Sequence, residues 1–208
     1  MTINERNYLL ENLDRIIFNS YWSRKRFFIG LKKTKRKINL KTHIIHQSSS
    51  SVKINFKKKE KIISFVGKLN TAKGYDLFGD AIIKILEKHK DWKAVVFGDE
   101  HREKLNFNHK NMKIFGFKKH TTILKYLEKV SISIICSRWN EPFGRTSLEA
   151  ASRGSAIIIS DRGGLPETTN FAIKLKKLNS DEIFNQVEFL INNKSKRLLL
   201  QKKIYKDF

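Results

Sequence analysis

The chain has 208 residues, of which 40% are hydrophobic and 11% aromatic, and this apolar content excludes a disordered chain because it can build a packed core. Lys and Arg number 43 against 20 Asp and Glu, so the formal net charge is +23, which attracts nucleic acid, acidic lipid or phosphorylated small molecules. The single cysteine, Cys136, excludes a disulfide framework and a cysteine-cluster metal site within one chain.

The apolar runs of the chain are too short to cross a membrane. The longest, such as SAIIIS and SISIIC, have the length of a strand. The first residues, MTINERNYLL, lack the basic-then-apolar order of a secretory signal. We therefore expect a cytoplasmic protein, and peripheral attachment to the anionic inner face of a membrane stays open.

Residues 1–60 differ from the rest of the chain. They contain two short strand candidates, RIIF and THIIH, the basic runs SRKRF and LKKTKRK, and the serine-rich connector HQSSSSVK. Because this segment is too short and irregular for a core of its own, we interpret it as the remnant of an N-terminal domain and a linker.

From residue 61 onward, strand and helix patterns alternate. The strand candidates are KIISFVG, WKAVVFG, MKIFGF, SISIICS and SAIIIS; the helix candidates are GYDLFGDAIIKILEKH, TTILKYLEKV, GRTSLEAASRG and DEIFNQVEFLINN. We expect Gly154 in the left-handed conformation after the third helix, and Ser180 or Asp181 at the start of the fourth. This pattern predicts an α/β fold over residues 61–208, a Rossmann-like parallel sheet with helices on both faces, and ligands beyond the carboxyl ends of its strands.

The first candidate site, VGKLNTAKGYD, follows a predicted strand. Gly67 allows the backbone to come close to a ligand, Lys68 and Lys73 flank a short turn, and Gly74 opens the next helix. Two ammonium groups near a helix N-terminus predict a diphosphate pocket. Two solvated loop lysines are the more common interpretation of this pattern in a chain so rich in lysine. The glycine spacing fits neither a P-loop nor a dinucleotide fingerprint.

The second candidate site is EPFGRTSLEAASRG at residues 141–154. Gly144 leaves its amide uncovered at the helix start, and Arg145 lies in the first turn, where the helix dipole disfavours a cation unless an anion binds. Glu149 can accept hydrogen bonds from a vicinal diol, and Glu141 can reach another part of the same ligand. Alternatively, Glu141 caps the helix and Glu149 pairs with Arg145 at four-residue spacing, worth about 0.3 kcal/mol.

Together these stretches resemble the donor-binding, C-terminal half of retaining glycosyltransferases of family 4, which have the GT-B fold. The resemblance covers roughly residues 61–192. Its motifs are a glycine–basic–leucine turn, a lysine–glycine pair, a glutamate-x7-glutamate signature and a loop after the next strand, matched here by GKL at 67–69, Lys73–Gly74, Glu141 with Glu149, and GGLPET at 163–168.

The resemblance implies transfer of a sugar, with retention, from a nucleotide-diphosphate donor to a glycan or lipid-linked acceptor, without a cofactor or metal. It implies that Lys68 and Lys73 bind the diphosphate, that Glu149 binds the ribose hydroxyls, and that Glu141 with the Phe143–Gly144 backbone binds the sugar. Of these, Lys68, Lys73 and Glu141 are the predicted catalytic residues. The remaining predicted donor contacts are Gly67, Gly74, Pro142, Arg145, Thr146 and, beside the base, Phe117 and Lys118.

Two departures from the family pattern matter. Lys68 stands where the family usually has arginine, so the charge is kept but the bidentate fork is lost. The GT-B fold also needs an N-terminal domain of comparable size that supplies the acceptor site, which residues 1–60 cannot contain. LDRIIFNSYWSRKRF resembles the last strand and exit of that domain, with Ser20 where the family often has serine. We therefore expect a fragment that is inactive alone.

The sequence also bears on three other interpretations. One keeps the fold as a catalytically inactive nucleotide-sugar-binding domain. Another is a basic nucleic-acid-binding module, but the basic residues are spread along the chain and no recognition motif is present, so we expect no nucleic-acid partner. A metal site is not expected, because the six histidines lack ligand spacing and are interpreted as scattered surface residues, and Asp99–Glu100 as a strand-end loop.

Overall fold

The structure is a computed structural model that describes residues 1–31 and 41–208. Most of the predicted basic run LKKTKRK therefore lies outside the described residues. The described strands are β1 Ile16–Phe18, β2 Thr42–Ile44, β3 Ile62–Val66, β4 Lys93–Phe97, β5 Met112–Ile114, β6 Ile132–Ile135, β7 Ala156–Ile159 and β8 Ile173–Lys174. The described α-helices are α1 Ile3–Asn12, α2 Tyr21–Phe27, α3 Tyr75–Lys88, α4 His120–Leu127, α5 Arg145–Ser152, α6 Ser180–Asn192 and α7 Lys194–Asp207, and 3₁₀ turns lie at Phe56–Lys58, Thr71–Lys73 and Leu165–Glu167.

Within the described residues, β3 to β8 form one six-stranded sheet in the order β5-β4-β3-β6-β7-β8. Every pair in it is parallel. Successive side chains of a strand point to opposite faces, so Ile63 and Phe65 pack against α3 and α6, whereas Ile62 packs towards α4. On β7, Ile157 and Ile159 pack against α5 and α7. The Rossmann-like sheet with helices on both faces is thus confirmed.

The amphipathic pattern of α3 matches the structure closely. Phe78, Ile82 and Ile85 of this helix are almost fully buried against the sheet, and burying a large apolar side chain contributes about 1.5–3 kcal/mol.

The ends of two other helices test the predicted caps. Gly154 follows α5 with φ of +68°, as expected. α6 begins at Ser180, one of the two expected residues, and its N-cap is Asn179, whose Oδ1 accepts from the backbone N–H of Glu182 at 2.8 Å.

The strand order places a crevice at one edge of the sheet. β3 lies between β4 and β6, so the chain leaves β3 towards one side of the sheet and returns on its other side at β6. The loops after β3 and β6 therefore diverge at the carboxyl edge. Ligands of open parallel sheets bind at such a switch point.

The N-terminal segment is attached to this body rather than forming a second core. The predicted strands RIIF and THIIH are confirmed as β1 and β2, which pair in parallel. Phe18 packs against the rings of Phe27 and Phe28, with centroids 5.2 and 6.4 Å away. In the described part of the chain, no helix is long and apolar enough to cross a membrane.

The serine-rich connector is held against the helices of the main body. Ser152 Oγ donates to Ser49 Oγ at 3.3 Å, and the buried Arg153 donates to Ser50 Oγ at 2.9 Å. Tyr205 of α7 donates its hydroxyl to the carbonyl of Val52 at 2.8 Å. These contacts fix the path of the chain between β2 and β3, and so fix where the N-terminal segment lies.

Candidate functional site

A cavity of about 280 Å³ opens at the switch point of the sheet, between the loops that follow β3 and β6. It brings the two candidate motifs together, although they lie far apart in the sequence. The predicted site residues that line it are Gly67, Lys73, Glu141, Pro142, Phe143, Gly144, Arg145 and Thr146.

Lys73 and Glu141 form an ion pair within this cavity. Lys73 Nζ donates to Glu141 Oε1 at 2.5 Å, and the two residues are 68 positions apart in the chain. Their side chains are 30% and 16% exposed, so the pair is partly shielded from water. The ammonium has two further N–H donors and the carboxylate has further acceptor positions, so the pair can bind an anion and hydroxyl groups at the same time.

The turn that carries Lys73 is fixed by the loop after β4. Asn70 Oδ1 accepts from the backbone of Lys73 at 3.0 Å, and Asn70 donates to Glu100 at 2.9 Å. Thr71 donates its backbone N–H to Glu103 at 2.8 Å. Glu100 therefore supports the turn, in agreement with its interpretation as part of a strand-end loop. Hydrogen bonds from Arg102 hold the pKa of Glu100 well below its usual range.

The loop that carries Glu141 is clamped to the same turn. Arg138 donates to both carboxylate oxygens of Asp76 at 2.7 Å and to the carbonyl of Thr71 at 2.6 Å. The backbone N–H groups of Arg138 and Trp139 donate to the carbonyl of Ala72 at 2.9 and 3.0 Å. Burial would raise the pKa of Asp76, but the paired guanidinium outweighs burial and lowers it. The clamp thereby sets the position of Glu141 relative to Lys73.

Glycines allow these loops to approach closely. Gly74 has φ of +76°, and a Cβ there would lie 2.1 Å from the carbonyl oxygen of Cys136. In GGLPET, Gly163 has φ of +62°, and its Cβ would lie 2.2 Å from the carbonyl oxygen of Glu141. Gly164 donates its backbone N–H to the same oxygen at 2.6 Å. The predicted loop after β7 therefore packs against the backbone of Glu141 and helps to fix its position.

The N-terminus of α5 faces the cavity without a side-chain cap. Gly144 is the N-cap residue and makes no side-chain hydrogen bond to the first turn, and Arg145 and Thr146 line the cavity. Uncapped amides at a helix start carry the positive end of the helix dipole and are suited to an anion. Lys73, Arg145 and this helix end thus supply N–H donors suited to an anion at one end of the cavity.

Glu149 lies behind this helix end rather than on the cavity wall. Its carboxylate is 10% exposed, and Oε1 contacts His120 Nε2 at 2.9 Å and Arg145 at 3.4 Å. The alternative pairing of Glu149 with Arg145 is therefore present. His120 is a surface residue as expected, with its side chain 51% exposed, and its ring also contacts the carboxylate that the motif predicted to be functional. The surface interpretation is wrong for His109, which is buried.

Besides Glu149, four predicted site residues do not line the cavity: Lys68, Gly74, Phe117 and Lys118. Lys68 is exposed directly after Gly67. Phe117 is 76% exposed, and with Lys118 it lies in the loop that leads to His120. That loop consequently borders Glu149. Over residues 1–31 and 41–208, no group of three or more His, Cys, Asp or Glu side chains is close enough to hold a metal ion.

The cavity residues that the sequence did not predict include Asn19 and Gln47, which come from the N-terminal segment. Their place depends on how this segment docks. Ser20 and Ser23 donate their hydroxyls to the carbonyl of Pro142 at 2.5 and 3.0 Å. The resemblance drew attention to Ser20, but nothing in the sequence indicated that its neighbour would reach the cavity.

Glu167 of GGLPET completes this docking. Its carboxylate accepts the backbone N–H groups of Tyr21 and Trp22, at the first turn of α2, at 2.7 and 2.8 Å. A carboxylate at a helix N-terminus satisfies free amides and complements the helix dipole. An acidic residue in a loop gives no sign of which helix it will cap, so this contact could not be predicted.

Comparison with known proteins places this site in a family context. Residues 47–207 match the model of the family described as glycosyl transferases group 1. The uncharacterized glycosyltransferase MJ1607 of Methanocaldococcus jannaschii is 33% identical over 128 residues, which cover 55% of this chain and 32% of that protein. The chain thus spans about a third of the length of the curated relatives it matches.

Two solved structures show the same fold. The C-terminal domain of a glycosyl transferase group 1 family protein, LpcC of Francisella tularensis, is 25% identical, with a TM-score of 0.62 over 72% of this chain and 86% of that one. Anabaena HepE, solved in complex with UDP-glucose, has a TM-score of 0.77 at 17% identity, over 96% of this chain and 60% of that one.

Proposed function

Because the chain belongs to the glycosyl transferases group 1 family, we propose that it is the donor-binding part of an enzyme that transfers a sugar from a nucleotide-diphosphate donor with retention of configuration. The observation that carries this proposal is the cavity at the switch point, where Lys73, Glu141 and the uncapped start of α5 meet. The complex of HepE with UDP-glucose supports a nucleotide sugar as the donor.

The end of the cavity formed by Lys73 and the start of α5 suits the diphosphate of such a donor. Lys73 can turn a free N–H to a phosphate oxygen while it keeps its contact with Glu141. The first amides of α5 supply further donors and the helix dipole. Lys68, which is exposed at the adjacent turn, adds a second ammonium group from the solvent side. Glu141 then has acceptor positions left for sugar hydroxyls.

These groups also account for catalysis. Negative charge builds on the leaving diphosphate as the glycosidic bond breaks. Fixed cations and amides that stabilise this charge more strongly in the transition state than in the ground state lower the barrier. For retention, we propose that the acceptor hydroxyl attacks on the face of the departing phosphate and gives its proton to that phosphate.

The ribose and base are assigned to the neighbouring region around Glu149. Both contacts of its carboxylate are made by Oε1, so Oε2 is the acceptor available to a ribose diol. Phe117 and Lys118 lie in the loop that leads to His120, and we propose that they border the base.

The acceptor site belongs to a further domain in this proposal. Residues 61–208 bind the donor, and an N-terminal domain, of which residues 1–60 are the remnant and linker, binds a glycan or lipid-linked acceptor. We place the transfer in the cytoplasm. The net charge of +23 favours a position at an anionic membrane surface, where a lipid-linked acceptor would lie.

Ligand-induced thermal stabilisation tests the donor assignment. A nucleoside diphosphate at one hundred times its Kd should stabilise the chain by about 2.7 kcal/mol, read as a rise in Tm with UDP, GDP or ADP. Lys73→Met should abolish the rise. Lys84→Met, on an exposed lysine of α3 that contacts Asp181, should keep it. If none of the three nucleotides at millimolar concentration raises the Tm of the unaltered chain, the donor assignment is refuted.

A further inference from the structure

The N-terminal segment contributes two carboxamides, Asn19 and Gln47, to the wall of the cavity. We propose that these side chains hydrogen-bond the hydroxyls of the donor sugar and determine which sugar the site accepts. This inference rests on the proposed function, since it assigns the sugar end of the same cavity.

Both carboxamides lie at the Pro142–Phe143 side of the cavity. Asn19 precedes Ser20, whose hydroxyl donates to the carbonyl of Pro142. Gln47 follows His46, whose ring stacks on that of Phe143 with centroids 5.1 Å apart. Two separate contacts therefore bring the two amides to the same part of the wall.

This side is distinct from the region assigned to the nucleoside. Glu149 and His120 contact each other behind α5, and neither is among the residues that line the cavity. Glu141, which does line it, is the predicted sugar ligand. A donor with its diphosphate at Lys73 and its ribose at Glu149 thus directs its sugar towards Glu141, Asn19 and Gln47.

The chemistry of these side chains fits a sugar better than a phosphate. A carboxamide is neutral and has both donors and an acceptor, as a sugar hydroxyl requires. The carboxylate of Glu141 can only accept. An epimer that moves one hydroxyl leaves a polar group of the site without its partner, and sites built on such hydrogen bonds discriminate strongly.

The segment that carries these amides is held in place by several contacts. Glu167 accepts the amides of the first turn of α2, and its carboxylate lies 3.5 Å from the ring of His46. The hydroxyl of Ser23 shares its one proton between Asn19 Oδ1 and the carbonyl of Pro142, each 3.0 Å away, which holds the carboxamide beside Pro142 and leaves its NH2 group to donate. Such fixed groups contribute specificity because they need no reorganisation on binding.

Calorimetric titration of the full 208-residue chain separates the sugar from the nucleotide. Each nucleoside diphosphate is compared with its sugar conjugates: UDP with UDP-glucose and UDP-N-acetylglucosamine, GDP with GDP-mannose, and ADP with ADP-glucose. For the conjugate that the unaltered chain binds most tightly, Asn19→Ala and Gln47→Ala should each weaken binding by roughly fivefold to tenfold, as expected for one lost hydrogen bond. Binding of the parent diphosphate should stay within about twofold.

Matched variants guard against a purely structural effect. Gln186→Ala removes a carboxamide from α6, where it contacts Glu182, and should change neither affinity. Asn19→Ser and Gln47→Ser replace the alanine variants if these lower the Tm. If the conjugate and the parent diphosphate lose affinity equally, or if neither loses any, the sugar assignment is overturned while the donor site stands. If the unaltered chain binds no nucleotide, the proposed function itself fails.

Discussion

Glu149 is a side chain with structural contacts to which we also assign a functional role. Its carboxylate is almost buried, and Oε1 contacts both His120 and Arg145. An exposed ion pair at four-residue spacing contributes only about 0.3–0.5 kcal/mol. A buried carboxylate that retains an acceptor for a ribose diol would contribute far more to ligand binding. Substitution can therefore distinguish the two roles.

Glu149→Gln keeps the shape of the side chain and removes its charge. Charge-assisted hydrogen bonds contribute about 1.5–3 kcal/mol, so nucleoside diphosphate binding should weaken by roughly tenfold to a hundredfold. The unaltered chain should prefer a ribonucleoside diphosphate over its 2′,3′-dideoxy form, and the variant should lose most of that preference. Calorimetric titration with both ligands measures the difference.

Glu182→Gln is the matched control for this change. Glu182 lies in the first turn of α6 and contacts Gln186, so its substitution should alter neither affinity nor ribose preference. If the Glu149→Gln variant prefers the ribonucleoside diphosphate over its 2′,3′-dideoxy form as strongly as the unaltered chain does, Glu149 does not bind the ribose. Its pairing with Arg145 and His120 is then its whole role.

At the scale of elements, the relative position of two loops decides whether the site exists. The turn after β3 carries Lys73, the loop after β6 carries Glu141, and the fork of Arg138 on Asp76 joins them. The guanidinium is 39% exposed, so water reduces the stabilisation that the pair contributes. The contact between Arg138 and Asp76 still fixes the relative position of the two loops, whatever its contribution to stability.

Arg138→Lys should loosen this clamp, because an ammonium group cannot make the bidentate contact. We expect the free energy of unfolding to fall by about 1 kcal/mol. Affinity for nucleoside diphosphates should fall by roughly threefold to tenfold, because about 1 kcal/mol of the binding free energy must then be used to order the two loops. Denaturant unfolding and calorimetric titration measure the two effects.

Arg6→Lys serves as the control for the clamp, because Arg6 also makes several contacts through its guanidinium, to the carbonyls of Thr2, Phe27 and Ile29. It should cost stability without changing the affinity for nucleotide. The role assigned to Arg138 is contradicted if Arg138→Lys and Arg6→Lys have the same effect on binding.

The packing of α3 against α6 predicts sensitivity to acid. Burial of Glu188 raises its pKa, but hydrogen bonds from Lys88, His89 and Asn192 outweigh burial and lower it to about 2. A carboxylate with a lowered folded pKa stabilises the protein above its unfolded pKa of 4.5, and this stabilisation is lost as the pH falls towards 2.

Glu188→Gln should therefore reduce the dependence of stability on pH. Between pH 5 and pH 3.5, the free energy of unfolding of the unaltered chain should fall by about 1 kcal/mol more than that of the variant. Urea unfolding at several pH values measures this difference. Glu182→Gln on the same helix should show the same pH dependence of stability as the unaltered chain. If the free energy of unfolding of Glu188→Gln also changes with pH in parallel with that of the unaltered chain, the assigned pKa of Glu188 is refuted.

At the scale of the whole molecule, binding and transfer are expected to separate. In our proposal, the donor site lies in residues 61–208 and the acceptor site in a further domain. The chain spans about a third of the length of the curated relatives, as with 32% of MJ1607. Residues 1–60 are likewise interpreted as no more than the last part of such a domain.

The 208-residue chain alone should accordingly bind a nucleotide sugar and transfer none of it. Incubation with nucleotide sugars and a panel of glycan and lipid acceptors, analysed by mass spectrometry, should give no glycosylated product. Lys73→Met controls for contaminating activity. Turnover by the unaltered chain that is absent from Lys73→Met would contradict the need for a further domain.

Much of the fold could be predicted because its strands are buried on both faces. Runs such as AVVF and AIII are apolar throughout, and α3 has apolar residues at helical spacing, so local pattern and tertiary environment agree. α7 was not predicted, because it is basic on most sides and buries polar side chains such as Arg197 and Gln201. β8 was missed because it has only the residues Ile173 and Lys174.

The candidate site was predictable to the extent that its residues are local to a motif. Gly67 and Lys73 lie in the turn after β3, and residues 141–146 lie in the loop after β6. The parallel sheet brings the carboxyl ends of these two strands to one edge. The contact of His120 with Glu149, the clamp of Arg138 and the entry of Asn19 and Gln47 link residues that are distant in the sequence. No periodicity or spacing records such contacts.

The sequence by itself determined the alternation of strands and helices, the parallel sheet and the two motifs at its carboxyl edge, because these depend on short-range patterns of burial and on backbone conformation. Only the tertiary structure decided that Lys73 pairs with Glu141, that Glu149 is held by His120 and Arg145, and that the N-terminal segment enters the cavity. The physical reason is that side-chain pairing at a site depends on the positions of loops set by strand order and docking, and these positions result from the packing of the whole chain.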